Sequence, residues 1–337
     1  PQGAPTCGQV AATLRTGPDR GARIKVQLSG PSGTQGLVPG DSIQVMHVPA
    51  PKGAPPSSAY TYFGVDRARS LSYLAVFFVL LVLLVARLRG LMALVGLVFA
   101  GGVVAKFMLP ALIAGESGLW VALTGASTIM FVVLYLAHGI SMRTSTALVG
   151  TLVGVAITAA VAHVAIGANR LSGVGDESGS FLSSMVNHLD FRGLLLCAII
   201  IAGLGVLNDV TITQASAVWE LRAAAPEMPR RKLFGSAMRI GRDHIASTIY
   251  TIVFAYTGAA LSVLLLVELY DRPLLQLLNS EDIGEEVMRT LAGSMGLVLA
   301  VPLTTLIAVL TVAHARALND PTGDTGDTDQ GHRPGGG

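Results

Sequence analysis

Read as a pattern of apolar and polar positions, the chain falls into three zones. Nearly all the long apolar runs lie between residues 71 and 314. A helix needs about 20 apolar residues to cross a bilayer. Seven stretches approach or reach that length: 71–87, 90–113, 119–138, 144–167, 192–212, 246–267 and 291–314. Residues 1–66 are hydrophilic and rich in Gly and Pro. There, Val10–Arg15, Arg23–Leu28, Asp41–Val48 and Tyr60–Phe63 read as strands, with turn signals such as Leu37-Val38-Pro39-Gly40-Asp41 between them. A small β-barrel of OB type suits such strands, although about 65 residues make a marginal core. Residues 315–337 are low-complexity and are expected to be disordered. The predicted fold is mainly α. A polytopic transmembrane bundle of about seven spans (67–314) follows a small N-terminal OB-like β domain (1–66) and precedes a tail (315–337).

Composition sharpens this picture. Hydrophobic residues make up 51% of the chain and charged residues 13%, against about 25% charged in a soluble domain. Mean hydropathy is +0.60. These values exclude a disordered chain and argue against a soluble enzyme. Two cysteines among 337 residues exclude a disulfide scaffold. Cys7 falls in the outer zone and Cys197 in the fifth span, so a bridge between them is not expected.

The net charge of +2 matters less than where the charges lie. Arg87, Arg89, Arg143, Arg222, Arg230, Arg231, Lys232, Arg239 and Arg242 fall in loops on one side of the expected membrane. Arg170, Arg192, Arg272 and Arg289 fall on the other, together with most of the loop acids. The basic side is cytoplasmic by the positive-inside rule. Residues 1–66 are therefore expected outside the membrane and the C-terminus on the cytoplasmic side. The first residue is Pro1 and no signal peptide is visible. Either an upstream anchor or signal was removed, or the first span inserted with its N-terminus outward.

The sequence holds no phosphate-binding G-x-x-x-x-G-K-[ST] loop, no G-x-G-x-x-G, no H-E-x-x-H and no G-x-S-x-G. The reading assigns no catalytic residue, cofactor, metal site or nucleic-acid partner, and no enzyme activity. The bilayer is the expected environment, with a homo-oligomer and a small solute or ion as candidate partners.

Candidate chemistry lies where polar residues interrupt the apolar runs. The fifth run passes directly into Asn208-Asp209, and Asp209, Thr213, Ser216 and Glu220 share one helical face. Asn208, Thr211 and Gln214 lie beside that face. An ionisable residue within a span is costly and marks a functional site facing the protein interior. Asp209 is also about 25 Å from Arg192 at 1.5 Å per residue, near the inner boundary, where it would only cap or pair. In the sixth run Arg239, Asp243, Ser247, Tyr250 and Thr257 follow one face, with His244, Thr248 and Thr251 on the next. Asp243 and His244 are expected level with Asp209, where a histidine beside a carboxylate could relay a proton. An Asp243–Arg ion pair is the structural alternative. Thr304 adds a hydroxyl from the seventh run.

Other features read as packing. Thr146, Gly150, Gly154, Thr158 and Ala162 recur every fourth residue, and Gly293, Gly296, Ala300, Thr304 and Ala308 form a second small-residue face with Pro302 nearby. Small residues allow close helix approach, and proline frees a backbone carbonyl. Lys106 either snorkels or neutralises an interior acid. Residues 230–242 read as a basic amphipathic helix on the inner leaflet, with Leu233, Phe234, Ala237 and Met238 on its apolar side. Residues 274–289 read as an outer interfacial or re-entrant helix whose acids attract cations or face water.

Several stretches resemble the YibE/YibF family of bacterial membrane proteins, in its actinobacterial-type branch. They are Arg192–Leu195, Gly205–Ser216, Ile240–Thr248, Ala255–Ala259 and Arg289–Thr304. The likeness covers about 66–314. It implies an integral plasma-membrane protein with a permease-like core, and a further membrane helix ahead of the outer domain. It implies no substrate and no catalytic residue. Two functions follow as expectations. One is a permease or channel without its own ATPase, its polar path formed at a helix broken near Asn208–Gln214. The other is a non-transporting assembly or receptor protein whose outer β domain binds a partner.

Overall fold

The computed structural model describes residues 8–28, 37–48, 59–175, 177–186, 188–269, 273, 276 and 279–319. The chain divides into two units, Pro1–Val85 and Ala86–Gly337. The expected tail lies outside the described residues from 320 onward, and Cys7 lies outside them too.

The first unit contains β1 (Gly8–Thr13), β2 (Arg23–Leu28), β3 (Ile43–His47) and β4 (Tyr60–Val65). Val10 pairs with Val26 in the antiparallel β1–β2 hairpin, and Val45 pairs with Tyr62 in the β3–β4 hairpin. On β2, Ile24, Val26 and Leu28 alternate inward, as a half-buried strand requires. The core joins Leu14, Ile24 and Val26 to Ala59 and Tyr60 of the second hairpin. Tyr60 donates its hydroxyl to Asp19 Oδ2 at 2.6 Å, tying it to the β1–β2 turn. Four strands therefore form where the pattern placed them. Among the described residues each has one partner, in two two-stranded ladders, and no closed barrel is seen.

The helices are α1 (Ala68–Val103), α2 (Leu109–Ile113), α3 (Gly118–His138), α4 (Met142–Ala168), α5 (Glu177–Met185), α6 (Phe191–Ala224), α7 (Arg230–Ala259), α8 (Leu261–Leu269) and α9 (Glu281–Asn319). Ser141 and Asp190 cap α4 and α6 by accepting from the backbone N–H groups of Thr144 and Gly193. Between α1 and α2, Val104–Met108 is a π-helical turn, and Leu109 N–H bonds to Val104 O. The next residue, Pro110, has no N–H to offer Lys106 O, so the ladder shifts by one residue before it. Lys106 itself is exposed.

Among the described residues, five helical stretches are long and apolar enough to cross a membrane: Ala68–Ile113, Gly118–His138, Met142–Ala168, Phe191–Ala224 and Glu281–Val312. The first covers two of the seven expected spans. Its backbone breaks at Arg87 (φ 52°, ψ −133°), between those two spans. The sixth expected span, 246–267, is not among the five. Its residues are shared between the end of α7 and α8, with the break at Ala260. The first half of α7 carries Arg230, Arg231, Lys232, Arg239, Arg242 and Asp243, so no long apolar window fits within it.

Three other expectations change. The fifth span does not break at Asn208–Gln214: α6 continues for 34 residues. The i→i−4 ladder runs on through Asn208-Asp209 because neither residue removes a backbone donor. The acids at 281–286 are not on a separate outer helix but on the first turns of α9. Of the rest of 274–289, residues 274, 275, 277 and 278 lie outside the described residues. Leu233 and Ala237 do not face lipid. Both are fully buried against Val218 of α6 and Ala308, Val309 and Val312 of α9. The apolar side of α7 is thus used within the protein, leaving its cations outward.

In the second unit α4, α6 and α9 pack most extensively on one another, with α7 against α9 and α6, and α3 against α6 and α4. Val155, Ile199, Ile200, Leu207, Leu297 and Val301 are among the fully buried side chains of this core.

Candidate functional site

The helices approach closely where the sequence supplies glycine. A Cβ added to Gly150 would overlap the Thr304 side chain. One added to Gly154 would lie 2.9 Å from Leu207 and 3.0 Å from Ala300. One at Gly296 would strike Thr158. Gly293 differs: it is buried, yet a Cβ there meets nothing within 4 Å. Pro302 sits inside α9 without ending it.

This close contact brings together a layer of polar side chains. Thr151 and Thr211 are fully buried with hydroxyls 2.6 Å apart, joining α4 to α6. Each also reaches a carbonyl one turn earlier on its own helix, Ala147 O at 2.9 Å and Leu207 O at 2.8 Å. A similar pair, Thr146 and Thr311 at 3.0 Å, joins α4 to α9. Gln214 of α6 is buried and donates from Nε2 to Thr305 Oγ1 at 2.7 Å and to Ala237 O at 3.0 Å. One amide therefore links α6, α9 and α7. Gly241 permits this approach, because a Cβ there would lie 3.0 Å from Gln214 Oε1 and 2.7 Å from Val301. Thr304 Oγ1 is fully buried and forms no hydrogen bond.

At the edge of this layer α6 meets α7. His244 Nε2 lies 3.7 Å from Asp209 Oδ2, an ion-pair distance but longer than a hydrogen bond. The Asp209 side chain is 69% exposed and that of His244 32%. His244 Nε2 is itself buried without a hydrogen bond, as is Asn208 Oδ1 on the preceding residue. Asp209 therefore does not point into the core as the stripe suggested. The inward face of α6 belongs to Leu207, Val210, Thr211 and Gln214, which are buried. Thr213 and Ser216 are half-buried, whereas Asp243, Ser247 and Tyr250 are exposed. Of the two residues expected opposite Asp209, His244 alone reaches it, since Asp243 leaves α7 in a different direction. Among the described residues no group of His, Cys, Asp or Glu side chains forms a metal-ligand set.

Sequence reasoning missed Thr151, Thr305, Thr311 and Gly241. Thr151 and Thr305 each follow a residue already singled out, Gly150 and Thr304. A second helical face one position on would have revealed them.

Long apolar helices packed through glycine and joined by buried hydroxyl and amide bonds define a multi-pass membrane protein. The chain belongs to the YibE/F-like protein family, whose family model matches residues 74–314. No curated protein and no solved structure matches it.

Proposed function

We propose that this chain is a permease or channel of the bacterial plasma membrane. It carries a small solute or ion without an ATPase of its own and catalyses no reaction. Its seven spans comprise the five long stretches, with the first counted twice at Arg87 and the α7–α8 segment added. Residues 1–66 form an OB-like extracytoplasmic domain, and the C-terminus is cytoplasmic. The observation that carries this reading is the approach of His244 to Asp209, with His244 Nε2 and Asn208 Oδ1 each buried without a hydrogen bond. A buried polar atom without a partner costs about 1–3 kcal/mol. Two atoms without hydrogen bonds, one of them at ion-pair distance from a carboxylate, suit a site that exchanges partners with a passing proton or solute.

The test reconstitutes the protein into liposomes holding a pH-sensitive dye. Metal cations, inorganic anions and small organic solutes are added in turn. Wild type should show a solute-dependent pH change, and Asp209→Asn should lose it at equal insertion. Full activity in Asp209→Asn would overturn the role given to its charge. A second reading, a non-transporting assembly protein or receptor, draws support from the hydroxyls of Thr146, Thr151, Thr211 and Thr311, which are bonded within the protein and need no water. A wild type that responds to no solute, yet binds a partner through residues 1–66, would favour it.

A further inference from the structure

The β3–β4 hairpin has an apolar face turned away from its own core. Val45, Tyr60 and Tyr62 point inward, to the core of the first unit. Neighbouring residues on a strand point to opposite faces, so Met46 and Val48 point outward. They are 51% and 49% exposed. Val48 still belongs to the ladder, since its N–H bonds to Ala59 O at 2.8 Å. Gln44 pairs with Gly64 and Val45 with Tyr62, which leaves Phe63 as the unpaired residue of a β-bulge. A bulge can re-aim a side chain, and Phe63 is 66% exposed beside the half-buried Tyr62. Core packing accounts for none of these three side chains.

This face is tied to the start of the first membrane stretch. Phe63 precedes Ala68, the first residue of α1, by five residues, a reach of at most about 18 Å. The connection is held at both ends. Asp66 N–H donates to Ser42 O at 2.8 Å, and Asp66 Oδ1 accepts from Ala68 N–H at 3.1 Å. Exposed apolar surface resumes on α1 with Leu71, Leu74 and Phe77. Arg67 and Arg69, both exposed, lie between the two apolar surfaces along the chain.

We propose that the outward face of β3–β4 rests on the bilayer surface where α1 enters it. Met46, Val48 and Phe63 would sit among the headgroups, and Arg67 and Arg69 would meet lipid phosphates. Grouped exposed apolar side chains mark a contact with membrane or protein. Lipid is the occupant that fits, because the face leads directly into a helix surface that itself needs lipid, and because the charges at the junction are cationic. A second copy packed there about a two-fold axis would bring Arg67 and Arg69 toward like charges. The inference holds on whichever side of the membrane the hairpin lies, and with or without transport.

The test uses the full chain with Cys7→Ser and Cys197→Ser, in liposomes of phosphatidylcholine and phosphatidylglycerol. A nitroxide is attached at Met46→Cys, Val48→Cys or Phe63→Cys. Leu74→Cys serves as the lipid reference, and Lys25→Cys, exposed on β2, as the water reference. Power saturation compares relaxation by oxygen, which concentrates in lipid, with relaxation by a water-soluble nickel chelate. At two or more of the three positions the oxygen-to-nickel ratio should rise above the position 25 value toward that at position 74. Three positions share the face, so one variant that fails to fold leaves two to decide. Fewer than two such positions overturns the proposal, whether through nickel access (a face in water) or through shielding from both reagents (a face under protein).

Discussion

Gly150 on α4 lies directly against Thr304 on α9, and the missing side chain of one is the space occupied by the other. This is the small-residue packing by which membrane helices associate where lipid offers no hydrophobic drive. Gly150→Leu must push α9 away or force a strained rotamer. Overpacking of this kind costs about 1–3 kcal/mol. The expected result is a lower melting temperature in detergent, followed through Trp120 and Trp219. An unchanged melting temperature would show that α4 and α9 do not meet at this glycine.

The Thr151–Thr211 contact makes a different prediction. Two hydroxyl protons face the carbonyls of Ala147, Leu207 and Asn208 as well as the partner hydroxyl. Removing one hydroxyl leaves the other bonded to its own helix, so Thr211→Val should cost little. The coupling between Thr151→Val and Thr211→Val should be about 0.6 kcal/mol, the usual scale for hydrogen bonds between membrane helices. A double-mutant cycle of melting free energies measures it. Zero coupling would mean that the hydroxyls do not bond to each other.

The legibility of this fold differs by element for physical reasons. The Gly150/Gly154 repeat could be read because small residues every fourth position share a helix face whatever the partner is. The partner could not: that Gly150 meets Thr304 while Gly293 meets nothing depends on the crossing of α4 and α9. The four strands were legible from alternation and turn residues, but strand partners are set by long-range pairing. A polar stripe in an apolar run predicts an inward face, but Thr211 and Gln214 take the inward face of α6 and leave Asp209 and Glu220 outside. The amphipathic start of α7 showed an apolar side but not its destination. Protein and lipid both accept Leu233.

In the first unit, the hydrogen bond from Tyr60 to Asp19 holds the Tyr60 phenol above its ordinary range, with burial and the charge of Asp19 adding to the effect. A folded-state pKa above the unfolded one gives stability that is fully present below the unfolded pKa, about 10 for tyrosine. That stability is lost as pH rises through the folded value. Protection of the β1–β2 turn from an alkaline-active protease should exceed that of Tyr60→Phe at pH 8. The difference should vanish well above pH 10. In protein labelled at the tyrosine Cζ carbons, the Tyr60 signal should titrate above the ordinary tyrosine range, and Asp19→Asn should lower its titration. A Tyr60 signal that titrates with the exposed tyrosines would show that this bond is not formed.

The last prediction concerns orientation, which rests on the nine cations of one side against four of the other. The folded chain adds a reason. The apolar side of α7 is taken up by α6 and α9, so Arg230, Arg231 and Lys232 are exposed at one end of that packing. Cations held outward there would meet anionic headgroups, which are concentrated in the cytoplasmic leaflet and contribute about 1 kcal/mol per charge. Arg20, exposed in the β1–β2 turn, should be on the opposite side. The measurement starts from a background with Cys7→Ser and Cys197→Ser, so that no native thiol reacts. Single cysteines are then placed by Arg20→Cys or Arg231→Cys, and intact cells are treated with a membrane-impermeant maleimide. Position 20 should label in intact cells, and position 231 only after the membrane is opened. Labelling of 231 in intact cells, with 20 protected, would reverse the topology and place the α7 cations outside.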